Sequence, residues 1–446
     1  MSSDVFTYRQ EQLMAIAEDA LGHAAGSGAS AAELDIHEGF GQTVSVRRDE
    51  IETIEYNRDK GMGVTVYIGK CRGHASTSDL TQEAVRTTVE AALSIARLTA
   101  SDDYAALADP ALLATSFPDF DLYHPWAPTV EEAVDIARDC ERAAFAADSR
   151  VNNSEGASVS AQQGQFVYAN SNGFMAGYPS TRHYLSCSVT AGKGDNMQRD
   201  SWWSMARDRQ DLESRESVGT TAGQRAARRL DAKQVATTKV PVLFESSVAS
   251  GLLGNFVAAI SGGSLYRKQS FLLDSLDTRV FPEFVRIDEL PHLKRGLSSG
   301  AFDNEGVATS SRAVVENGVV KGYFLGSYAA RKLGMQTTGN AGGAHNLRMR
   351  STGETFDELL KKMGRGLLVT DLLGHGTNMV TGDYSRGAAG FWVEDGALAY
   401  PVHEITVAGN LKQMFASVVA VGNDALVRTS RQTGSILIES MTVAGA

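Results

Sequence analysis

Two pairs of adjacent histidine and glutamate could serve a zinc peptidase, but both lack the residue that would complete the site. In the common helical zinc site, two histidines on one helix hold the metal and a glutamate activates its water. His37-Glu38 is followed by residues 39–42 without a second histidine, and His403-Glu404 is followed by residues 405–408 without one. The usual helical zinc motif is therefore absent from the sequence.

Two other arrangements could support hydrolysis. His345, His375 and His403 could hold a metal only if the fold brought them together, because residues so far apart in sequence carry little information about proximity. Gly296-Leu-Ser298-Ser-Gly300 has the GxSxG form of a nucleophile elbow, which requires a strand before the serine and a helix after it. The flanking residues favour neither element, so we predict a surface loop here.

Residues 367–410 alternate strand-like apolar runs with clusters of glycine. Asp395-Gly396 lies between two such runs and predicts a β-hairpin, because this pair favours the tight turn that matches strand twist. One interpretation is an antiparallel sheet with no chemistry of its own. The other is a sheet that accepts an extended peptide backbone along an exposed edge.

Together with Thr338-Gly-Asn-Ala-Gly342 and Phe302-Asp-Asn-Glu-Gly-Val307, this glycine-rich segment resembles the PmbA/TldE branch of the TldD/PmbA peptidase family. The resemblance extends over nearly the whole chain and is densest from Val240 onward. It implies a heteromeric metalloprotease in which a TldD-type subunit carries an HExxxH zinc motif.

The resemblance also indicates which residues stand at the zinc-motif positions of the TldD branch. In the helix after residues 240–244, Gly254 and Ala259 stand in place of the histidines and Asn255 in place of the glutamate. Ala388 is the nearest match to the cysteine that completes the metal site in that branch. None of these side chains can bind zinc or act as its base. The resemblance therefore implies no metal and no catalytic residue in this chain, and zinc in the TldD-type partner.

The segment around Asp303 and Glu305 has two interpretations. Its Asp, Asn and Gly residues favour a simple turn, whereas the resemblance places it near a central cleft. The possible cleft or substrate-channel residues are Asp303, Glu305, Asn340, His345, His375, Asn378 and Asp383.

The pattern of apolar residues predicts an α+β protein with two domains. Residues 1–236 should form an antiparallel sheet with packed helices, and residues 237–446 a β-rich, barrel-like domain with few helices. Arg225, Arg228 and Arg229 occur on one predicted helix, and we expect this basic face to be solvated.

Composition limits the partners and the compartment. A net charge of -11 disfavours nucleic acid. No run approaches the roughly 20 apolar residues that a membrane helix needs, and no targeting segment is recognisable. Cys71, Cys140 and Cys187 include no CxxC pair and are odd in number, which favours a reducing cytoplasm over a disulfide framework.

We therefore expect a PmbA/TldE-type subunit that pairs with a TldD-type subunit, as a heterodimer or a larger assembly, and supplies the chamber and channel for unfolded peptides. By resemblance, the substrates include leader peptides of modified peptide antibiotics. One alternative is a self-sufficient metal-dependent peptidase that uses His345, His375 or His403. Another is a non-catalytic, homodimeric peptide-binding protein, and the least supported is a serine hydrolase at Ser298.

Overall fold

The computed structural model describes residues 6–445, and its first half is built on one antiparallel sheet. The strands of this sheet are β1 (Ala31–Arg47), β2 (Glu50–Ile68), β3 (Cys71–Thr77), β4 (Val151–Asn170), β5 (Met175–Ala191) and β6 (Gln198–Ala206). They are arranged in the order β3-β2-β1-β4-β5-β6. Four helices accompany them: α1 (Gln10–Gly26), α2 (Gln82–Leu98), α3 (Val130–Ala147) and α4 (Arg215–Arg228).

The four helices cover one face of this sheet. Leu34 and Ile36 of β1 pack with α1 and α2, and Val44 and Val46 of the same strand pack with α3 and α4. Because side chains alternate along a strand, these even-numbered residues all point to one side. Glu33 and Asp35 therefore point to the opposite face, which the helices leave open.

The second half contains a closed barrel and a smaller sheet. The barrel strands are β7 (Thr238–Phe244), β12 (Gly366–Leu373), β13 (Asp383–Glu394), β14 (Ala397–Asn410) and β17 (Ile436–Ala444), and β15 (Val418–Val421) adds to β17. Strand β14 pairs with both β13 and β17, which closes the ring β7-β12-β13-β14-β17. The small sheet contains β8 (Ile287–Glu289), β9 (Arg312–Glu316), β10 (Val319–Val320), β11 (Leu347–Met349) and β16 (Arg431–Gln432).

Five short helices complete this half: α5 (Ser246–Ala259), α6 (Gly262–Tyr266), α7 (Ser327–Lys332), α8 (Phe356–Met363) and α9 (Leu411–Ala416). The predicted hairpin joins β13 to β14, and Asp395 and Gly396 both adopt the positive φ of a type I′ turn. The α+β prediction, with a sheet and packed helices followed by a barrel-like β-rich region, is confirmed. Within residues 6–445, no helix has the length and apolar character needed to cross a bilayer.

The prediction of a solvated arginine face on α4 is wrong for two of its three residues. Arg225 and Arg229 are only 7% and 8% exposed. Arg225 donates to Asp200 of β6 at 3.3 Å and to Glu245 at 2.8 Å, just before α5. Such buried guanidinium groups require carboxylate partners, and here the partners come from both halves of the chain. The arginines therefore connect the first sheet to the barrel.

Candidate functional site

A cleft lies between the open face of the first sheet and the loops of the second half. Its larger lobe has a volume of about 570 Å³ and is bordered by Glu33, Asp35, Arg72, His74, Tyr168, Tyr178, Phe302, Asp303, Asn304, Glu305 and Ala341, among others. A second lobe of about 400 Å³ shares Glu33, Arg72 and Glu305 with it and extends to Asp102 and Tyr328. Volumes of this size suit ligand sites in proteins.

Glu33 lies where the two lobes meet. The hydroxyl groups of Tyr67 and Tyr168 each donate to its carboxylate at 2.8 Å. Burial raises the pKa of Glu33, and the nearby negative charge of Glu305 adds to this effect, although the two tyrosine hydrogen bonds oppose it. Because the tyrosines lie on β2 and β4, on either side of β1, the sheet itself fixes the orientation of this carboxyl group.

Asp303 and Glu305 form the opposite wall of the cleft. The carboxylate of Asp303 accepts backbone N–H groups of Glu305, Val307 and Ala341 at 2.8–3.0 Å. Burial raises the pKa of Asp303 to about 6, and the charge of Glu305 acts in the same direction. Glu305 in turn accepts the N–H of Ser327 at 2.8 Å. The bonds from Glu305 and Val307 to Asp303 also stabilise the turn of this loop.

Asn340 and His345 lie behind this wall, around the buried carboxylate of Glu289. Glu289 accepts from Asn340 Nδ2 at 2.7 Å, from His345 N at 2.9 Å and from Arg312 Nε at 2.8 Å. Burial alone would raise the pKa of Glu289, but the hydrogen bond from His345 and the charge of Arg312 lower it overall. These residues therefore hold the loop in place and do not border the cleft.

His375, Asn378 and Asp383 lie in and next to the exposed loop between β12 and β13. Asn378 Oδ1 accepts the N–H of Val380 at 2.9 Å, and Thr381 Oγ1 donates to Asp383 at 2.6 Å. These contacts shape the loop. None of the three residues borders either lobe of the cleft.

The four zinc-motif positions do not fit a metal ion. Gly254 and Asn255 lie on the partly exposed side of α5, whereas Ala259 and Ala388 are buried in the apolar core. The guanidinium of Arg431 lies over Gly254, with Nη1 3.3 Å from the point where a Cβ would be. The donor atoms that zinc requires are missing, and a cationic group occupies the neighbourhood.

The structure does not assemble the alternative sites either. Among residues 6–445, no group of three or more His, Cys, Asp or Glu side chains is arranged to hold a metal ion. His345 is bound to Glu289, and His403 contacts Gln198 of the first sheet at 3.4 Å. Ser298 lies in a loop that is half-buried, not exposed, with no helix after it.

Comparisons with known proteins agree with this architecture. Three family models match in sequence: PmbA/TldA metallopeptidase domain 1 over residues 32–96, the central domain over 123–230 and the C-terminal domain over 237–445. Metalloprotease PmbA of Escherichia coli O157:H7 is 47% identical over 93% of this chain and 92% of that protein. This chain belongs to the PmbA/TldD metallopeptidase family.

Solved structures share this fold. A putative modulator of DNA gyrase from Bacteroides thetaiotaomicron shares 28% sequence identity and superposes with a TM-score of 0.92, covering 98% of this chain and 100% of that one. TldE from Thermococcus kodakarensis has the same fold, with a TM-score of 0.84 at 20% identity over 96% of this chain and 100% of that one.

The sequence analysis missed the cleft residues on the first sheet, among them Glu33, Tyr67 and Tyr168. The sequence did contain one signal, because Glu33 and Asp35 occupy the polar positions of the alternating segment Ala32-Glu-Leu-Asp-Ile36. Alternation predicts that they share a face. The two tyrosine partners come from strands that are adjacent only in the folded sheet, so no local pattern in the sequence identifies them.

Proposed function

We propose that this chain is the PmbA/TldE-type subunit of a heteromeric zinc metalloprotease. A TldD-type partner would hold the zinc and hydrolyse the peptide bond, and this chain would contribute the chamber and substrate channel. The observation that carries the proposal is the composition of α5 and its surroundings. Gly254, Asn255, Ala259 and Ala388 provide no metal ligand, and the cation of Arg431 lies beside them.

The cleft supports the second half of the proposal. Its walls combine aromatic rings, such as Phe302 and Tyr178, with the carboxyl groups of Glu33, Asp303 and Glu305. Aromatic surface can bind apolar side chains of an unfolded peptide, and carboxylates can accept hydrogen bonds from its backbone or its cationic groups. The family resemblance supplies the proposed substrate class, which is short or unfolded peptides, including leader peptides of modified peptide antibiotics.

The test is reconstitution with the TldD-type protein of the same organism. We expect neither protein alone to cleave an unfolded peptide and the mixture to do so, with loss of activity on chelation and recovery with Zn²⁺. Metal analysis should find zinc in the partner. Chelator-sensitive cleavage by this chain alone, or stoichiometric metal in it, would overturn the assignment.

A further inference from the structure

The chain between α2 and α3 includes a strap, residues 99–123, that is bound to both halves of the protein. In the middle of the strap, the N–H of Ala114 donates to the carbonyl of Gly306 in the second half at 2.9 Å. Near its end, the carbonyl of Leu122 accepts the N–H of Thr181 of β5 at 2.9 Å. The strap is therefore ordered by the protein itself, which lowers the entropic cost of binding a ligand against it.

A pocket with a volume of about 380 Å³ lies between the end of the strap and the wall of the cleft. It is lined by residues 117–123 of the strap, by residues 177–179 of β5, and by Ala301 and Phe302. Tyr178 and Phe302 also border the larger lobe of the cleft, so the strap pocket and the cleft share a wall. The volume is at the lower end of the range for ligand pockets and suits one side chain or a small group.

Aromatic rings form much of the strap pocket. Phe302 is buried, and its ring meets those of Phe117 and Tyr178 edge to face, with centroids 5.9 Å apart in both pairs. Phe117 is nevertheless 52% exposed. A ring that belongs to an apolar cluster but stays half exposed leaves surface that a bound apolar group would cover.

A carboxylate lies on the strap side of this pocket. Asp119 is exposed, and its Oδ1 accepts the N–H of Asp121 at 2.7 Å, which fixes its orientation. Asp121 itself is paired with Arg295 at 2.7 Å. The charge that the strap offers to a ligand is therefore that of Asp119, and it favours a cationic group.

Carboxyl groups also lie on the cleft side of the pocket. Asp303 directly follows Phe302 in the chain and borders the larger lobe. Arg72 borders this lobe as well, but it is outnumbered there by the carboxyl groups of Glu33, Asp35, Asp303 and Glu305. A ligand that places an apolar group in the pocket would thus have acidic groups on both sides of it.

We propose that the strap pocket is a subsite for one large apolar side chain of an unfolded peptide whose neighbouring residues are basic. The apolar side chain packs between Phe117 and Phe302, and the basic residues meet Asp119 on one side and the cleft carboxylates on the other. An extended chain rises about 3.3 Å per residue, so the apolar and basic side chains should lie within about three positions of each other. The proposal rests on the peptide-binding role proposed above and adds a sequence preference to it.

Calorimetry with this chain alone tests the apolar preference. The probes are a short unfolded peptide with phenylalanine between two lysines and the same peptide with alanine in place of phenylalanine. We expect the phenylalanine peptide to bind roughly tenfold more tightly, because the pocket removes its ring from water. Equal affinity for the two peptides, or no binding of either at millimolar concentration, would overturn the proposal.

Phe117→Ala tests the position of the subsite. It should weaken binding of the phenylalanine peptide about fivefold and leave the alanine peptide unchanged, because only the first peptide uses the ring. Phe284→Ala is the matched control, since Phe284 is 45% exposed and does not line the pocket. A loss of equal size for both peptides would give Phe117 a purely structural role and refute the subsite.

Asp119→Asn tests the charge and keeps the turn, because asparagine Oδ1 can also accept the N–H two residues further on. At low salt it should weaken the lysine-flanked peptide about threefold, and it should not affect a peptide with serines in place of the lysines. Asp79→Asn is the matched control, since Asp79 Oδ1 accepts the N–H of Thr81 at 2.9 Å in the same kind of turn. Equal effects of Asp119→Asn on the two peptides would contradict the charge preference.

The binding measurements need no partner subunit, so they can fail independently of reconstitution. The expected preference without cleavage by the reconstituted mixture would support the subsite and contradict the subunit assignment. Cleavage by the mixture, without the preference in binding, would do the reverse. If N-acetyl-phenylalaninamide binds as tightly as the phenylalanine peptide, the pocket recognises a small aromatic compound and the peptide subsite is refuted.

Discussion

Arg431 Nη1 lies 3.3 Å from the position that a Cβ on Gly254 would occupy. The side chain comes from β16 and extends over the partly exposed side of α5. A positive charge at this point disfavours a bound cation by direct repulsion. The helix is therefore both without metal ligands and electrostatically unsuited to a metal.

The two sides of α5 should respond oppositely to substitution. Gly254→Ala should stabilise the protein by roughly 0.5–1 kcal/mol, because alanine favours the helix and the end of the Arg431 side chain can move aside. Ala259→His should destabilise it by about 1–3 kcal/mol or more, since Ala259 is fully buried. Urea unfolding of both variants measures the difference, and equal effects would contradict the orientation of the helix.

Arg225 should be essential for joining the two halves of the chain. Arg225→Ala leaves Asp200 and Glu245 buried with less compensation, and we expect a loss of about 3–5 kcal/mol in the free energy of unfolding. Arg199→Ala removes an exposed pair with Glu155 and should cost no more than about 1 kcal/mol. Chemical unfolding monitored by tryptophan fluorescence measures the free energy of unfolding of both variants. A loss of less than about 1 kcal/mol in Arg225→Ala would show that its ion pairs are not needed for stability.

Asp303 should make stability fall as the pH rises from about 4 to 6. Its pKa is about 6 in the folded protein and ordinarily 3.8, so the folded state holds the proton more tightly between these values. The stabilising contribution is complete below pH 3.8 and is lost as the pH rises through about 6, amounting to about 3 kcal/mol at most.

The urea midpoint between pH 4 and 6 should change less steeply in Asp303→Asn than in the unmodified protein. Asp148→Asn is the control, because the Arg150 side chain lowers the pKa of Asp148 to about 2. The stability that Asp148 contributes is lost only as the pH falls below 3.8. An unchanged slope in Asp303→Asn would mean that Asp303 does not titrate in this range.

The cleft should matter for substrate binding in the reconstituted enzyme. Asp35 lies on the cleft wall with an exposed carboxylate, and Asp35→Lys would introduce a long cationic side chain there. If the proposed complex forms, we expect KM for a cationic unfolded peptide to rise roughly tenfold with little change in kcat, because repulsion weakens substrate binding and leaves the hydrolytic step unchanged. Asp79→Lys, outside the cleft, should behave like the unmodified protein. An unchanged KM for Asp35→Lys would show that the cleft does not take part in substrate binding.

A local sequence signal located the β13–β14 turn. The predicted Asp395-Gly396 turn appears in the structure, where both residues have positive φ. This signal acts over a few residues, and its physical cause is contained in those residues. Its position could therefore be inferred without knowledge of the fold.

Long-range pairing could not be inferred in this way. The sequence around Arg225 predicts a surface residue. In the structure, the packing of α4 places Arg225 beside Asp200 and Glu245, and these contacts have no local signal in the sequence. Glu33 likewise acquires its role from Tyr67 and Tyr168, which are far from it in sequence. Asp303 and Glu305 were identified as candidate site residues only through the family resemblance, because their local sequence pattern predicts no more than a turn.

The order of strands in the barrel also determines how the chain reaches its fold. Strand β7 lies between β12 and β17, which begin only at Gly366 and Ile436. During synthesis β7 therefore cannot form its strand pairs, and its apolar side chains stay exposed, until β12 and β17 have both been synthesised. Pairings between such distant segments slow folding and prolong exposure to aggregation. This half of the protein should accordingly depend on chaperones during its production far more than the locally paired hairpins that precede it.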